Sequence, residues 1–304
     1  MIARLLRFAG AVLLVLYSAL SAAQSGTITL AEGALRLLRG PSVMLAGEGV
    51  QIQPGDILET DDRGISVVEF ADGLLLGLGP RTRLYLAEVS PRLRRDESGQ
   101  PIILLAGWCK LQAGKQAPAD GYRVLAAALG VSTGDARLLA HAAEQRASLF
   151  LESGAGRLLE PDEQGKTTKT GTLAAGQFAS RVAAQRTSLQ PRPDAAFLAG
   201  MPKGFRDALP ARPDRLKANP KAPKFDHDVR YDEVKDWLQM PQSWRGELVR
   251  RFTVRLRDAD FRKALAANLA RHPEWQPILY PPQRHEAGHA SSRNRDSQQR
   301  EQAQ

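Results

Sequence analysis

The run at residues 64–79 constrains the fold of this chain more than any other feature of the sequence. Apolar side chains alternate with others on both sides of an Asp-Gly pair, which is the pattern of two short antiparallel strands. A three-residue loop at 71–73 pairs Phe70 with Leu74 and keeps the larger side chains on one face, whereas a two-residue loop places a glycine opposite one of them. We therefore predict the three-residue loop, with Gly73 in the left-handed conformation that glycine adopts at little cost.

Short apolar runs separated by glycine-bearing turns continue from residue 26 to about residue 186. Strands of roughly 4 to 8 residues with such punctuation are typical of all-β units. We expect a hairpin whose strands, 27–30 and 34–38, flank Glu32-Gly33, and a second turn at 54–56. The first half of the chain is thus predicted to be a mainly β domain over residues 24–190.

A set of turn and core residues in this half recurs in a known family. It comprises residues 55–60, Gly64, Val68, Phe70, Asp72, Gly73, Leu76, Pro80, Thr82 and Leu84, with weaker matches at 105–108, 147–156 and 173–177. These residues resemble the signature of the FecR domain, the periplasmic β domain of the iron-citrate regulator family. The resemblance implies an antiparallel β sandwich or roll in which Gly55, Asp56, Asp72 and Gly73 are structural turn residues. It also places strands at 123–144, where alanine-rich stretches by themselves favour helix.

The resemblance carries an expected role as well. In that family the domain lies outside a single membrane span and passes a signal from an outer-membrane receptor to a cytoplasmic segment that controls a sigma factor. We expect neither a cytoplasmic segment nor a retained span here. The resemblance then implies a periplasmic binding or sensing module without catalytic residues, and a membrane-anchored regulator of a sigma factor is the less favoured alternative.

The first 23 residues have the composition of a secretory signal peptide. Arg4 and Arg7 precede an apolar stretch at 8–17, and small residues at 21–23 suit a signal peptidase. We predict cleavage before Gln24, export to the periplasm, and no transmembrane span in the mature protein.

The composition changes after residue 190. Seven prolines in 191–224 block both continuous helix and central strand, so we predict an extended linker, docked through Phe197, Leu198 and Phe205. Residues 225–281 are predicted to be a small basic helical domain, and residues 282–304 a disordered tail. The helical stripes comprise Tyr231, Val234, Trp237 and Leu238, then Trp244, Leu248, Phe252 and Leu256, and finally Phe261, Leu265 and Leu269 after an Asp258 cap.

Positive charge is concentrated in the second half of the chain. Residues 24–201 hold 19 basic and 19 acidic side chains, whereas residues 202–284 hold 18 basic and 11 acidic ones. For an exported protein this surplus favours an envelope protein or an anionic glycan or lipid as partner, and disfavours nucleic acid. The candidate interaction surface is the cluster Arg245, Arg250, Arg251, Arg255, Arg257, Arg262 and Lys263; a solvated face with local ion pairs is the alternative.

Three motifs suggest enzymes, and each lacks the context that its chemistry needs. The histidines of residues 285–289 have zinc-protease spacing but sit in a polar tail, and 160–167 resembles a phosphate loop with acids in place of glycine. We interpret 160–167 as a solvated hairpin tip. Cys109, the only cysteine, lies in an apolar strand pattern and is predicted to be a buried hydrophobe.

These observations favour a non-enzymatic, exported protein with a FecR-like domain that recognises another envelope component. We predict no catalytic residue, no metal and no cofactor. The runner-up is a module that binds glycan or peptidoglycan fragments through exposed aromatic residues such as Tyr85, Trp108 or Tyr122. An enzyme would require a site assembled across both domains.

Overall fold

A computed structural model describes residues 25–88, 99–126, 129–162, 164–183, 185–216 and 219–281. The predicted signal peptide, the tail and the histidine pair at 285–289 lie outside the described residues.

The described residues are mainly β, as the sequence predicts. Strands β1 to β8 span Gly26–Glu32, Leu35–Arg39, Ser42–Ala46, Gln51–Ile52, Ile57–Thr60, Ile65–Phe70, Leu75–Leu78 and Arg83–Leu86. Strands β9 to β17 span Gln100–Gln112, Tyr122–Ala126, Leu129–Thr133, Ala136–Ala143, Arg146–Pro161, Thr167–Ala174, Phe178–Val182, Ser188–Gln190 and Lys224–Asp228. The strands at 123–144 are confirmed against the helical propensity of their alanines.

The strands form two sheets that share two members. Sheet I has the order β4-β1-β6-β7-β9-β12-β13-β15-β16, with every pair antiparallel. Sheet II has the order β17-β3-β2-β5-β8-β9-β10-β11-β13-β14, in which only β9 and β10 are parallel. The sandwich core lies between them and includes Ile28, Leu37, Val68, Leu104 and Leu149.

Strands β9 and β13 pass from one sheet to the other at a glycine. Gly107 has a φ of 86° and Gly154 a φ of 87°, a region that side chains with a Cβ avoid. The backbone is also crowded there, because an added Cβ on Gly107 would lie 2.5 Å from the carbonyl oxygen of Arg81. These two glycines let single strands take part in both sheets.

The turn at 71–73 has the predicted three-residue loop. The backbone N–H of Phe70 donates to the Leu74 carbonyl oxygen at 2.9 Å, and Val68 lies opposite Leu76. Gly73 has a φ of 83°.

The predicted hairpin around Glu32-Gly33 is wrong. β1 pairs with β4 and β6 in sheet I, whereas β2 pairs with β3 and β5 in sheet II. The chain crosses between the sheets at this turn, because both strands carry apolar side chains that face the shared core from opposite sides.

The proline-rich segment covers the outer face of sheet I. It contains helices α1 (Ala195–Gly200) and α2 (Pro213–Leu216) and a 3₁₀ turn at Lys203–Phe205. Phe197 and Phe205 are buried against Trp108 and Phe178, as expected, but Leu198 is exposed. The buried Lys110 ties the segment down, since its ammonium donates to the carbonyl oxygens of Phe205 and Asp207.

The C-terminal helices cover the outer face of sheet II. They are α3 (Tyr231–Leu238), α4 (Gln242–Phe252), α5 (Ala259–Ala267) and α6 (Gln276–Leu279), with 3₁₀ turns at Thr253–Arg257, Leu269–Arg271 and Pro273–Trp275. The predicted stripe of α3 is buried, and the Asp258 carboxylate caps α5 by accepting from the Phe261 N–H at 3.0 Å. Trp237 and Trp275 are fully buried between the helices and strands such as β5 and β8.

None of the helices in the described part of the chain is long and apolar enough to cross a bilayer.

The hairpin tip near residue 165 is largely solvated, with Asp162, Gln164 and Lys166 exposed, but one residue of it packs against the C-terminal helices. Gly165 is buried against the start of α4, where its carbonyl oxygen accepts from the Trp244 indole N–H at 3.1 Å. The neighbouring Gln164 carbonyl accepts from the Ser243 N–H. The tip of β13–β14 thus helps to hold the C-terminal helices on sheet II.

Candidate functional site

The seven basic residues of the candidate interaction surface do not form one surface. Arg251 points into the fold, where its guanidinium donates to the carbonyl oxygens of Leu38, Gly40 and Gly55. Its position against Phe252, with the guanidinium carbon 5.1 Å from the ring centre, adds a cation–π contact. Arg251 therefore joins α4 to β2 and to two turns of sheet II, and it is not part of an exposed basic surface.

Arg245 and Arg255 are also used within the fold. Arg245 donates to the Leu238 carbonyl oxygen and pairs with Glu274 at 2.9 Å. Arg255 donates to the Val229 carbonyl oxygen and pairs with two aspartates, Asp228 at 3.0 Å and Asp258 at 2.8 Å.

The other four basic residues are exposed. Arg250 forms an ion pair with Glu247, one helical turn away. Arg257, Arg262 and Lys263 are exposed, and their side chains make no hydrogen bond or ion pair with any residue that the structure describes. We call these three residues the basic face.

The aromatic residues proposed as a glycan platform are buried, so that prediction is wrong. Tyr85, Trp108 and Tyr122 are 2%, 8% and 1% exposed. Tyr85 lies beneath the C-terminal helices, and Trp108 beneath α1 of the proline-rich segment. Tyr122 faces the sandwich core. Tyr85 and Trp108 lie on outer faces of the sheets that remote segments of the chain cover, whereas Tyr122 lies between the sheets.

The signature residues of the β domain form turns. The Asp56 carboxylate, 1% exposed, accepts from the Arg39 guanidinium at 2.9 and 2.6 Å and from the Gln53 N–H at 2.8 Å. Asp72 accepts from the Leu74 N–H at 3.0 Å and from the Tyr122 hydroxyl at 2.7 Å. That hydroxyl is buried, and burial together with Asp72 raises the pKa of Tyr122.

A charged network lies on the outer face of sheet II and meets α3. Glu59 pairs with Arg36 at 3.5 Å and with Arg83 at 3.0 Å, and Arg83 also pairs with Asp236 of α3 at 2.6 Å. Arg36 continues the network to Glu233. Burial raises the pKa of Glu233, but hydrogen bonds from the Arg230 N–H and from His227 outweigh it and lower the pKa.

Sequence reasoning missed this network. Its signal was present, because Arg36 and Arg83 each lie two residues before a large apolar side chain, Leu38 and Tyr85, on the same face of β2 and β8. A charged side chain on an otherwise apolar face indicates a partner that covers that face.

Two cavities lie along the seam between the C-terminal helices and sheet II, and a third lies on sheet II beside β2, β5 and β8. One of 210 Å³ lies beside Arg251 and Tyr85, and one of 340 Å³ lies between Leu105, Met240 and Trp244. The third, of 360 Å³, adjoins the charged network. In its wall, backbone N–H groups of Ala34 and Arg63 hold the pKa of Asp61 below its usual value.

The described residues do not bring a catalytic set together at Cys109. Burial raises the pKa of its thiol to about 12, so it stays protonated. His141 lies on the neighbouring strand but stacks on Trp108, 4.2 Å between ring centres, on the opposite face of sheet I. Within the described ranges no three His, Cys, Asp or Glu side chains converge as metal ligands do.

Comparison with known proteins leaves the family open. No family model matches the chain, and no curated protein matches it. Two crystal structures of a candidate anti-sigma factor from Parabacteroides distasonis, at 2.50 and 1.65 Å resolution, align with TM-scores of 0.36 and 10% identity. Each alignment covers 47% of this chain, which spans 62% of the length of that protein.

Proposed function

We propose that this protein is a non-enzymatic binding module of the bacterial cell envelope, and that its basic face contacts an anionic component. The proposal rests on a division of the basic cluster into residues that are bonded within the fold and residues that are exposed. Arg251 and Arg255 tie the helices to sheet II and Arg245 joins the helices to one another, whereas the side chains of the basic face make no hydrogen bond or ion pair with the described residues. A fixed scaffold thus presents Arg257, Arg262 and Lys263 together on consecutive turns.

The predicted export determines which anionic components this protein can meet. A protein in the periplasm meets anionic phospholipid, lipopolysaccharide, acidic glycans and acidic protein surfaces, but seldom nucleic acid. Single exposed charges contribute little, yet several that act on one contact add up and respond to salt.

The test is binding to anionic phospholipid vesicles, lipopolysaccharide and an acidic polysaccharide at two salt concentrations. The Debye length falls from ~10 Å at 0.1 M to ~3 Å at 1 M, so binding should weaken strongly over this range. The variant Arg257→Gln/Arg262→Gln/Lys263→Gln should bind several-fold more weakly than the wild type.

The matched control removes three exposed charges from the other side of the molecule. Arg192, Lys203 and Arg206 are exposed residues of the segment on sheet I, and their triple Gln variant has the same net charge. It should bind as the wild type does. Equal losses in both variants would mean that net charge alone drives binding, and no loss in either would remove the basic face from consideration.

Export is tested separately. The intact mass of protein recovered from the periplasmic fraction should correspond to a chain that begins at Gln24. Retention of residues 1–23 in the inner membrane would instead support the anchored regulator.

The alternative of a glycan-binding surface loses the aromatic platforms on which it depended, because all three rings are buried. An enzymatic role is not proposed.

A further inference from the structure

The 210 Å³ cavity beside Arg251 contains an unpartnered polar group. It is lined by the turns at Arg39-Gly40 and 53–56, by Tyr85 and Glu88, and by the α4 residues Glu247, Arg250 and Arg251. Tyr85 is 2% exposed, and its hydroxyl forms no hydrogen bond with any residue that the structure describes. The ring is buried while the hydroxyl opens onto the cavity, so its hydrogen is available to an acceptor on a ligand there.

The floor of the cavity offers donors. Burial raises the pKa of Tyr85 to about 12, so the hydroxyl keeps its proton. Each terminal nitrogen of Arg251 donates one hydrogen to a carbonyl, which leaves a second N–H on each without a described partner. The Nη1 of Arg39 likewise forms no hydrogen bond with Asp56, which accepts from Nε and Nη2.

The acceptors of the floor already receive hydrogen bonds from protein donors. The Asp56 carboxylate accepts three, two from Arg39 and one from the Gln53 N–H, and the carbonyls of Gly40 and Gly55 each accept one from Arg251. Arg251 has no carboxylate in hydrogen-bond contact. The floor therefore combines unused donors with a positive charge, which favours an anionic acceptor.

The rim of the cavity carries a hydrogen-bond acceptor, the carboxylate of Glu88, whereas the floor offers donors. Glu88 is exposed and forms no ion pair with the described residues, and its Oε1 would lie 3.1 Å from a Cβ added to Gly55. Its carboxylate thus stands over the turn that forms the wall of the cavity. A bare anion would be repelled there, whereas a hydroxyl group would donate to it.

We propose that this cavity binds a small hydroxylated carboxylate of the size of one sugar ring, such as a uronic acid. The carboxylate of the ligand lies against Tyr85 and Arg251, and a ring hydroxyl donates to Glu88. The volume is below that of the usual drug-sized pocket, which suits a single ring. Tyr85 contributes its hydroxyl here, not the exposed ring face that a stacking platform needs.

The proposal stands apart from the basic face. Arg257, Arg262 and Lys263 do not line this cavity, so the triple variant described above should bind the sugar acid as the wild type does.

The experiment is calorimetric titration of the full mature protein with D-glucuronate, D-glucose and acetate. Glucuronate should bind. Glucose, which lacks the carboxylate, and acetate, which lacks the hydroxyl groups, should each bind at least about tenfold more weakly. Tyr85→Phe should weaken glucuronate binding about tenfold or more, as expected when a hydrogen bond to a charged group is lost.

The matched control is Tyr122→Phe, which removes a buried hydroxyl that is already bonded to Asp72. It should lower stability and leave glucuronate affinity unchanged. Absence of glucuronate binding, equal binding of glucose, or an unchanged affinity in Tyr85→Phe would each overturn the proposal. Unfolding of Tyr85→Phe would also overturn it, since the hydroxyl would then have a structural partner.

Discussion

Replacement of Gly107 by alanine should destabilise the sandwich strongly. The new methyl group would strain the backbone at residue 107 and would overlap with neighbouring backbone atoms. A φ of 86° costs a residue with a Cβ about 1–2 kcal/mol. The Cβ would also lie 2.5 Å from the Arg81 carbonyl oxygen and 2.5 Å from the Thr82 Cα, so the backbone that leads into β8 must shift. Overpacking of this kind costs about 1–3 kcal/mol more, which gives an expected loss of about 2–5 kcal/mol.

Alanine variants at two other glycines distinguish the cost of backbone strain from the cost of steric overlap. Gly176 has a φ of 81° but nothing within 4 Å of its Cβ position, so Gly176→Ala should cost about 1–2 kcal/mol from strain alone. Gly171 has ordinary φ and open space, so Gly171→Ala should be neutral or stabilising by up to about 1 kcal/mol.

Urea unfolding followed by tryptophan fluorescence measures all three variants, with the slope of the transition as a check that the unfolded states are alike. The order of loss should be Gly107→Ala, then Gly176→Ala, then Gly171→Ala. If Gly107→Ala costs no more than Gly176→Ala, the backbone at Arg81 and Thr82 does not approach Gly107 as closely as described. The crossing of β9 between the sheets would then not require a glycine at residue 107.

Three further variants test other contacts. Gly73→Val should destabilise by about 1–3 kcal/mol, because a β-branched residue is strained at a φ of 83°; unchanged thermal stability would contradict this. Arg251→Lys should cost about 2–3 kcal/mol in urea unfolding although the charge is kept, because an ammonium cannot reach all three carbonyls. Burial lowers the pKa of His272 below 6.5, so the unfolded state takes up the proton first and stability should fall as the pH drops below about 6.5. In His272→Gln this decline should be shallower between about pH 7 and pH 5, and an identical pH profile would show that the histidine does not contribute.

The neutral form of His272 follows from its partners. The Leu238 carbonyl can only accept, so Nδ1 carries the proton, and Nε2 accepts from the Tyr231 hydroxyl at 2.9 Å. Protonation of Nε2 would place a positive charge in this buried site, and that desolvation is the physical origin of the expected acid sensitivity.

The features that the sequence determined are local. The loop at 71–73 follows from the positions of apolar residues and one glycine, and the Asp258 cap from a side chain that reaches an N–H three residues on. The buried stripe of α3 follows from helical spacing alone. In each case the deciding interactions join residues that are close in the chain, so a short window of sequence contains them.

Only the tertiary structure decided which faces are covered. Alternation shows that Tyr85 and Leu84 face opposite sides of β8, but it cannot show that helices from more than 140 residues later bury the second side. The same holds for Arg251, whose partners Leu38, Gly40 and Gly55 lie about 200 residues earlier. The pairing of β1 and β2 with different sheets also depends on distant strands. Burial and hydrogen bonding between remote segments depend on the whole packing arrangement, and no local pattern encodes it.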